Sequence, residues 1–112
     1  MLLAIPVFNE ADSLEGVFSE ILDHLPPEIQ AIVAIDDGSS DGSAEILDEL
    51  SQKHDKIFVR HHQENHGYGC AMIESMKIAR KHGYSHLVTM DCDRQHRPAD
   101  LIRFIQMDPD ID

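Results

Sequence analysis

Basic residues are scarce. Nine Lys and Arg stand against 21 Asp and Glu, a formal net charge of -12, so a phosphate backbone would meet repulsion and find no basic footprint. That excludes nucleic acid as an expected partner. Long apolar runs are missing as well. The longest, residues 1–7 and 31–35, fall far short of the roughly 20 residues that cross a bilayer, and no basic segment precedes the first. No transmembrane segment is expected, and a cytoplasmic location follows, at the membrane surface if the chain is part of a longer protein. Cysteine is limited to Cys70 and Cys92, with no paired spacing and no glycosylation sequon, which argues against a disulfide framework and for a reducing compartment. Repeats and low-complexity tracts are absent. The 112 residues, 42% hydrophobic, suit one domain spanning 1–112.

What is present alternates between strand and helix patterns. Residues 2–8 form a nearly continuous apolar run ended by Asn9-Glu10, as in a strand buried on both faces. Pro6 cannot donate to a ladder and should sit where the strand leaves the sheet. Leu14, Val17, Phe18, Ile21, Leu22 and Leu25 recur at three- and four-residue steps until Pro26-Pro27, which predicts an amphipathic helix. A second strand is expected over 29–35, a helix around Ile46, Leu47 and Leu50, a third strand over 56–60, a polar loop over 61–69, a helix over 70–82 and a fourth strand over 86–90. Pro98 suits the first turn of a last helix holding Leu101, Ile102 and Ile105. Such alternation implies right-handed crossovers and a parallel sheet with helices on both faces, an α/β fold of three layers.

In such sheets, ligands bind beyond the carboxyl ends of the strands. Asn9-Glu10, Asp36-Asp37 and Asp91-Cys92-Asp93 each follow a predicted strand, so residues far apart in sequence converge on one edge. Crowding carboxylates there costs like-charge repulsion unless a cation or a raised pKa relieves it. A divalent ion held by one or two carboxylates together with phosphate oxygens is the usual arrangement for nucleotides. In Asp91-Cys92-Asp93, alternation sends both acids to one side and Cys92 inward. Gln95 can add a neutral oxygen. Other readings are weaker. Asp37, Ser39, Asp41, Gly42 and Asp48 match calcium-loop positions, but a strand precedes them where an EF-hand needs a helix. His61, His62 and His66 lack zinc spacing and read as solvated loop residues. Gly67-Tyr68-Gly69 before a helix is weak as a phosphate cradle, with neither a Walker Lys nor the full glycine fingerprint.

Three motifs in order, Ile5-Pro6-Val7-Phe8-Asn9-Glu10, then Ile35-Asp36-Asp37-Gly38-Ser39-Ser40-Asp41-Gly42-Ser43, then Met90-Asp91-Cys92-Asp93-Arg94-Gln95-His96, resemble those of the family 2 glycosyltransferases of the GT-A fold. The likeness is nearest to the dolichol- and polyprenol-phosphate sugar synthases, and it covers nearly the whole chain. It implies a Rossmann-like sheet of order 3-2-1-4 and a UDP- or GDP-linked sugar as donor. It also implies that Pro6, Phe8 and Glu10 line the nucleoside pocket, with Glu10 accepting from ribose hydroxyls, and that Asp36 or Asp37 accepts a ring N–H of the base. Asp91 would lie near the ribose and phosphates, and Asp93 with Gln95 would hold Mg2+ or Mn2+. Asn65 and Gly67 resemble an Asn-x-Gly before the third helix of such enzymes. The implied acceptor is a polyprenol or dolichol phosphate, or a saccharide.

Enzymes with these motifs continue well past the metal site, so the chain reads as a donor-binding part, inactive alone, and no catalytic base is assigned. Truncation at this point would leave the fourth strand as an apolar edge and lead to self-association. Two rivals remain. A receiver-like signalling domain also gathers acids at strand ends, but there the acidic pair follows the first strand and a later strand ends in Lys. A non-catalytic α/β interaction domain could keep the fold without the chemistry.

Overall fold

The computed structural model of the chain describes residues 1–89 and 103–106. The elements run β1 (Leu2–Val7), α1 (Ala11–Asp23), β2 (Ala31–Asp37), α2 (Ser43–Lys53), β3 (Ile57–His62), α3 (Tyr68–Lys81), β4 (His86–Thr89) and β5 (Arg103–Gln106). They build one sheet of order β3-β2-β1-β4-β5. β1 pairs in parallel with β2 and β4, β2 in parallel with β3, and β5 antiparallel with β4.

The two central strands are apolar on both faces because helices cover both. Leu3, Ile5, Val7, Ile32 and Ala34 meet Leu14, Val17, Phe18 and Ile21 of α1 and Leu47 of α2. On the other face Leu2, Ala4, Ala31, Val33 and Ile35 meet Ala71 and Ala79 of α3. Each large side chain buried in this way contributes about 1.5–3 kcal/mol, so the four apolar residues of α1 hold that helix far more firmly than its intrinsic propensity would. Pro6 stands opposite Ile35 in the β1–β2 register, while the described β1–β4 register ends at Ala4. The residue without an N–H thus falls one position before the end of β1. Among the described residues no helix is long and apolar enough to cross a membrane.

Three expectations are corrected. Ile105 belongs to strand β5, not to a helix begun at Pro98, which itself lies outside the described residues. Apolar residues three or four apart in a short segment fit either period, and the open backbone groups of β4 decide for the strand. β4 is therefore no edge: His86, Leu87, Val88 and Thr89 pair with Gln106, Ile105, Phe104 and Arg103. This removes the basis on which self-association was expected. Finally, β3 runs on through His61 and His62, the start of the expected polar loop.

Candidate functional site at the carboxyl edge of the sheet

The loops leaving β1 and β2 are joined by hydrogen bonds. Asn9, the one non-glycine residue with positive φ (51°) among the described residues, donates its N–H to Ser39 Oγ at 3.0 Å, and its Oδ1 accepts Ser40 N–H at 2.8 Å. Glu10 N–H donates to Ser43 Oγ at 3.0 Å. Asp41 links two helix starts. Its Oδ2 accepts Ala11 N–H at 3.1 Å, and its Oδ1 accepts Ser43 N–H at 3.1 Å and Ser43 Oγ–H at 2.6 Å. A carboxylate is favoured where two sets of unpaired helix N–H groups meet. The Ser43 hydroxyl, followed by Ala11 N–H, holds its carboxyl below the ordinary value.

The third loop closes on the second. Gly38 has φ of 77°, and a Cβ built there would stand 2.6 Å from both Asn65 N and Glu64 C. Glycine is required on both counts, by the backbone conformation and by the close approach.

Asp36 and Asp37 are the last two residues of β2, both buried. In register they face His61 and His62, the last two of β3. Because successive side chains alternate across a sheet, the two acid–histidine pairs serve opposite faces. His61 Nδ1 lies 2.8 Å from Asp36 Oδ2 and its Nε2 lies 2.8 Å from Asp48 Oδ1 of α2. His62 Nδ1 lies 2.9 Å from Asp37 Oδ1, and its Nε2 meets Glu74 Oε2 of α3. Carboxylates only accept, so a ring that donates to two of them at once does so as the imidazolium. Burial works against the charge on His61, but Asp36 and Asp48 outweigh it and raise its pKa. Asp37 and then Glu74 raise that of His62 against a smaller cost of burial.

Asp37 also organises the third loop. Its Oδ1 accepts His66 N–H at 2.9 Å, and its Oδ2 accepts Gly67 N–H at 2.8 Å, at the start of α3. Burial pushes the Asp37 carboxyl up, and these donors with His62 more than reverse it, so the pKa lies below the usual value. The Gly67 amide, considered above as part of a phosphate cradle, is thus committed to Asp37. Asp36 accepts Ser39 N–H at 3.0 Å.

Of the residues expected from sequence, Pro6, Phe8, Glu10, Asp36 and Asp37 come to this one edge. Phe8 is 45% exposed, an aromatic face open to solvent beside the joined loops. Glu10 is half-buried, and its Oε2 accepts from Ser13 Oγ at 3.3 Å. Asp91, Asp93, Gln95 and Cys92 lie outside the described residues. β4 itself runs parallel to β1. Among the described residues no group of three or more His, Cys, Asp or Glu side chains is placed to hold a metal ion, so the metal reading rests on Asp93 and Gln95. Two arrangements were missed in the sequence, the carboxylate bridges of His61 and His62 and the bond from Asp41 to the start of α1. The one signal for the histidines in the sequence is a His-His pair directly after an expected strand, and its pairing with Asp36-Asp37 needs the β2–β3 register that the structure supplies. A cleft of about 250 Å³ lined by Leu2, Ala31, Phe58, Ile78, His82 and Tyr84, among others, lies toward the amino ends of β1 and β2, away from these residues.

The fold recurs in solved structures, one of them a mannosyltransferase. The structure of Staphylococcus aureus TarS residues 1–349 in complex with UDP-GlcNAc matches with TM-score 0.69 and 19% identity, over 82% of this chain and 26% of that one. The mannosyltransferase PcManGT from Pyrobaculum calidifontis, in complex with GDP-Man and Mn2+, matches with TM-score 0.66 and 22% identity, over 82% and 27%. At the level of sequence the likeness is firmer. Residues 3–109 match Glycosyl transferase family 2, and the chain belongs to that family.

Curated relatives include the polyprenol monophosphomannose synthase of Mycolicibacterium smegmatis, 34% identical over 93% of this chain and 39% of the relative. The undecaprenyl-phosphate mannosyltransferase of Micrococcus luteus is 30% identical, over 95% and 43%. The UDP-N-acetylglucosamine–dolichyl-phosphate N-acetylglucosaminyltransferase of Methanococcus voltae is 31% identical, over 93% and 45%. The chain thus spans about two fifths of the length of these relatives. Membership of the family decides against the receiver and interaction-domain readings, and an antiparallel β5 beside β4 also departs from an all-parallel receiver sheet.

Proposed function

We propose that the chain binds the nucleotide-sugar donor of a glycosyltransferase, which moves a sugar from a UDP- or GDP-linked donor to a polyprenol or dolichol phosphate, or to a saccharide. The observation that carries this reading is the convergence of Phe8, Glu10, Asp36 and Asp37 on one sheet edge, held by bonds between three loops, in a chain whose relatives are named for such transfers.

The residues divide the work by chemistry. Phe8, exposed and aromatic, and Pro6 below it offer apolar surface to a base and ribose. Glu10 accepts from ribose hydroxyls, and Asp36 or Asp37 accepts a ring N–H. Asp91 is assigned to the ribose and phosphates. Asp93 and Gln95 are the residues that would hold Mg2+ or Mn2+, an oxygen donor set suited to a hard cation. When bound there, such an ion supplies charge neutralisation for the departing diphosphate. The bond formed joins the acceptor oxygen to the anomeric carbon, and the bond broken joins that carbon to the diphosphate oxygen. The chain would work at the cytoplasmic membrane surface, where a lipid phosphate is presented.

Calorimetric titration with UDP and with GDP, each with Mg2+ or Mn2+, tests the reading. One of the two should bind in a metal-dependent manner. Heat from neither, under every metal condition, would refute it.

A further inference from the structure

Two adjacent histidines each join a β2 carboxylate to a helix carboxylate, one on each face of the sheet. His62 is the one whose β2 carboxylate partner also holds the third loop. Its Asp37 partner also receives His66 N–H and Gly67 N–H, so the bridge Asp37–His62–Glu74 fixes the end of β2, the loop of residues 63–67 and the second turn of α3 relative to one another. That loop in turn lies against Gly38 of the acidic loop, close enough to exclude a Cβ. A movement of Asp37 therefore reaches both walls of the edge where the base is to bind.

We propose that His62 is a positioning residue for nucleoside recognition: its imidazolium clamps Asp37 to Glu74 and so holds Asp37 and the 63–67 loop in the arrangement that accepts a base. The inference rests on the nucleoside pocket proposed above. The titratable groups facing the ring are Asp37 from β2, Glu74 from α3 and His66, whose ring meets it edge-on at 5.4 Å between centroids. Two carboxylates and one weakly basic ring favour the charged form. Once the proton leaves, a neutral ring can donate to only one carboxylate and must turn a lone pair toward the other. The clamp then opens at one end, and Asp37 and Glu74 are no longer held to each other. Nucleoside affinity should therefore be highest with His62 protonated and fall as pH rises through its pKa, which lies above the ordinary 6.5.

The test uses uridine and guanosine, which carry no phosphate titrating near neutrality, bound to the full chain across pH and followed by NMR together with the His62 ring resonances. The wild-type chain should lose affinity about fivefold, the scale of one charge-assisted hydrogen bond partly lost. The midpoint should coincide with the His62 titration. Glu74→Gln removes one carboxylate and should move both midpoints to lower pH together, an effect that a purely structural contribution would not produce. His62→Asn, which keeps a donor near Nδ1 but does not titrate, should abolish the step. Binding that is independent of pH in the wild-type chain, or a step unmoved by Glu74→Gln, would overturn the role of His62 and leave the pocket standing. Failure of both nucleosides to bind at any pH would overturn the pocket and the inference with it.

Discussion

Gly38 shows how one position can be dictated twice. Its φ of 77° is costly for any residue with a Cβ, and that Cβ would press on the backbone of Glu64 and Asn65 at 2.6 Å, where no side chain can swing aside. Gly38→Ala should lower stability by on the order of 2–4 kcal/mol, seen as an earlier urea midpoint. The same change at Gly42, which has positive φ but open space around it, should cost only the backbone share, about 1 kcal/mol. Equal effects at the two would mean that the approach of the third loop is not tight. At this scale the acids were legible in the sequence and their partners were not. Asp36 and Asp37 stand out as a pair after an apolar run. Nothing local to His61-His62 says that they end a strand, because their pairing depends on a register set by residues 25 positions away. The bond from Asp41 to the start of α1 was not legible for a similar reason, since that partner, Ala11, is contributed by another helix.

At the scale of elements, the ends of β2 and β3 and the helices α2 and α3 are joined through charge, and the sign of the pH response follows. His61 and His62 have raised folded-state pKa values, so their contribution is fully present below the unfolded value of 6.5 and is lost as pH rises through the folded values. Asp37 has a lowered one, so its contribution is present above 3.8 and lost as pH falls through the folded value. Stability should be greatest in mildly acidic solution, between these limits. Urea midpoints taken from pH 4 to 9 should decline on the alkaline side, and the decline should shrink in a His61→Gln, His62→Gln double variant. An unchanged decline would place its origin in other groups. β5 calls for a different experiment. It covers β4 over four residue pairs, and the sequence misled here because four residues are too few to separate a period of 2 from one of 3.6. Antiparallel ladders alternate hydrogen-bonded and open pairs, so Phe104→Pro with Ile105→Pro removes a donor to β4 in either phase. Wild-type β4 amides should exchange slowly at any concentration. The double variant should expose them and associate as concentration rises. A variant that stays monomeric would show that the bare β4 edge is not adhesive.

For the whole molecule, the layers and strand order were readable because alternating elements with short loops admit few arrangements, and that order alone gathers residues 6–10, 36–37 and the end of β4 on one edge. Charge adds what topology does not. A formal net charge of -12, counted with the histidines neutral, sets the chain against the anionic diphosphate of the proposed donor, and the acids at the site edge not matched by His61 and His62 add to that field. Screening acts over about 10 Å at 0.1 M salt and less at higher salt. It must therefore weaken two forces of opposite sign: repulsion of a metal-free nucleoside diphosphate and attraction of a divalent cation. Without metal, added salt should strengthen binding of UDP or GDP, whichever the chain accepts. With Mg2+ or Mn2+ at a subsaturating level it should weaken it, because the cation is then the limiting component. Asp93→Ala should remove the metal-dependent part and leave the metal-free response rising with salt. Calorimetry at two salt concentrations, with and without the cation, gives all three slopes. The same slope in the presence and absence of metal would show that the cation does not join the donor to this acidic edge, and would return Asp93 to an ordinary surface residue.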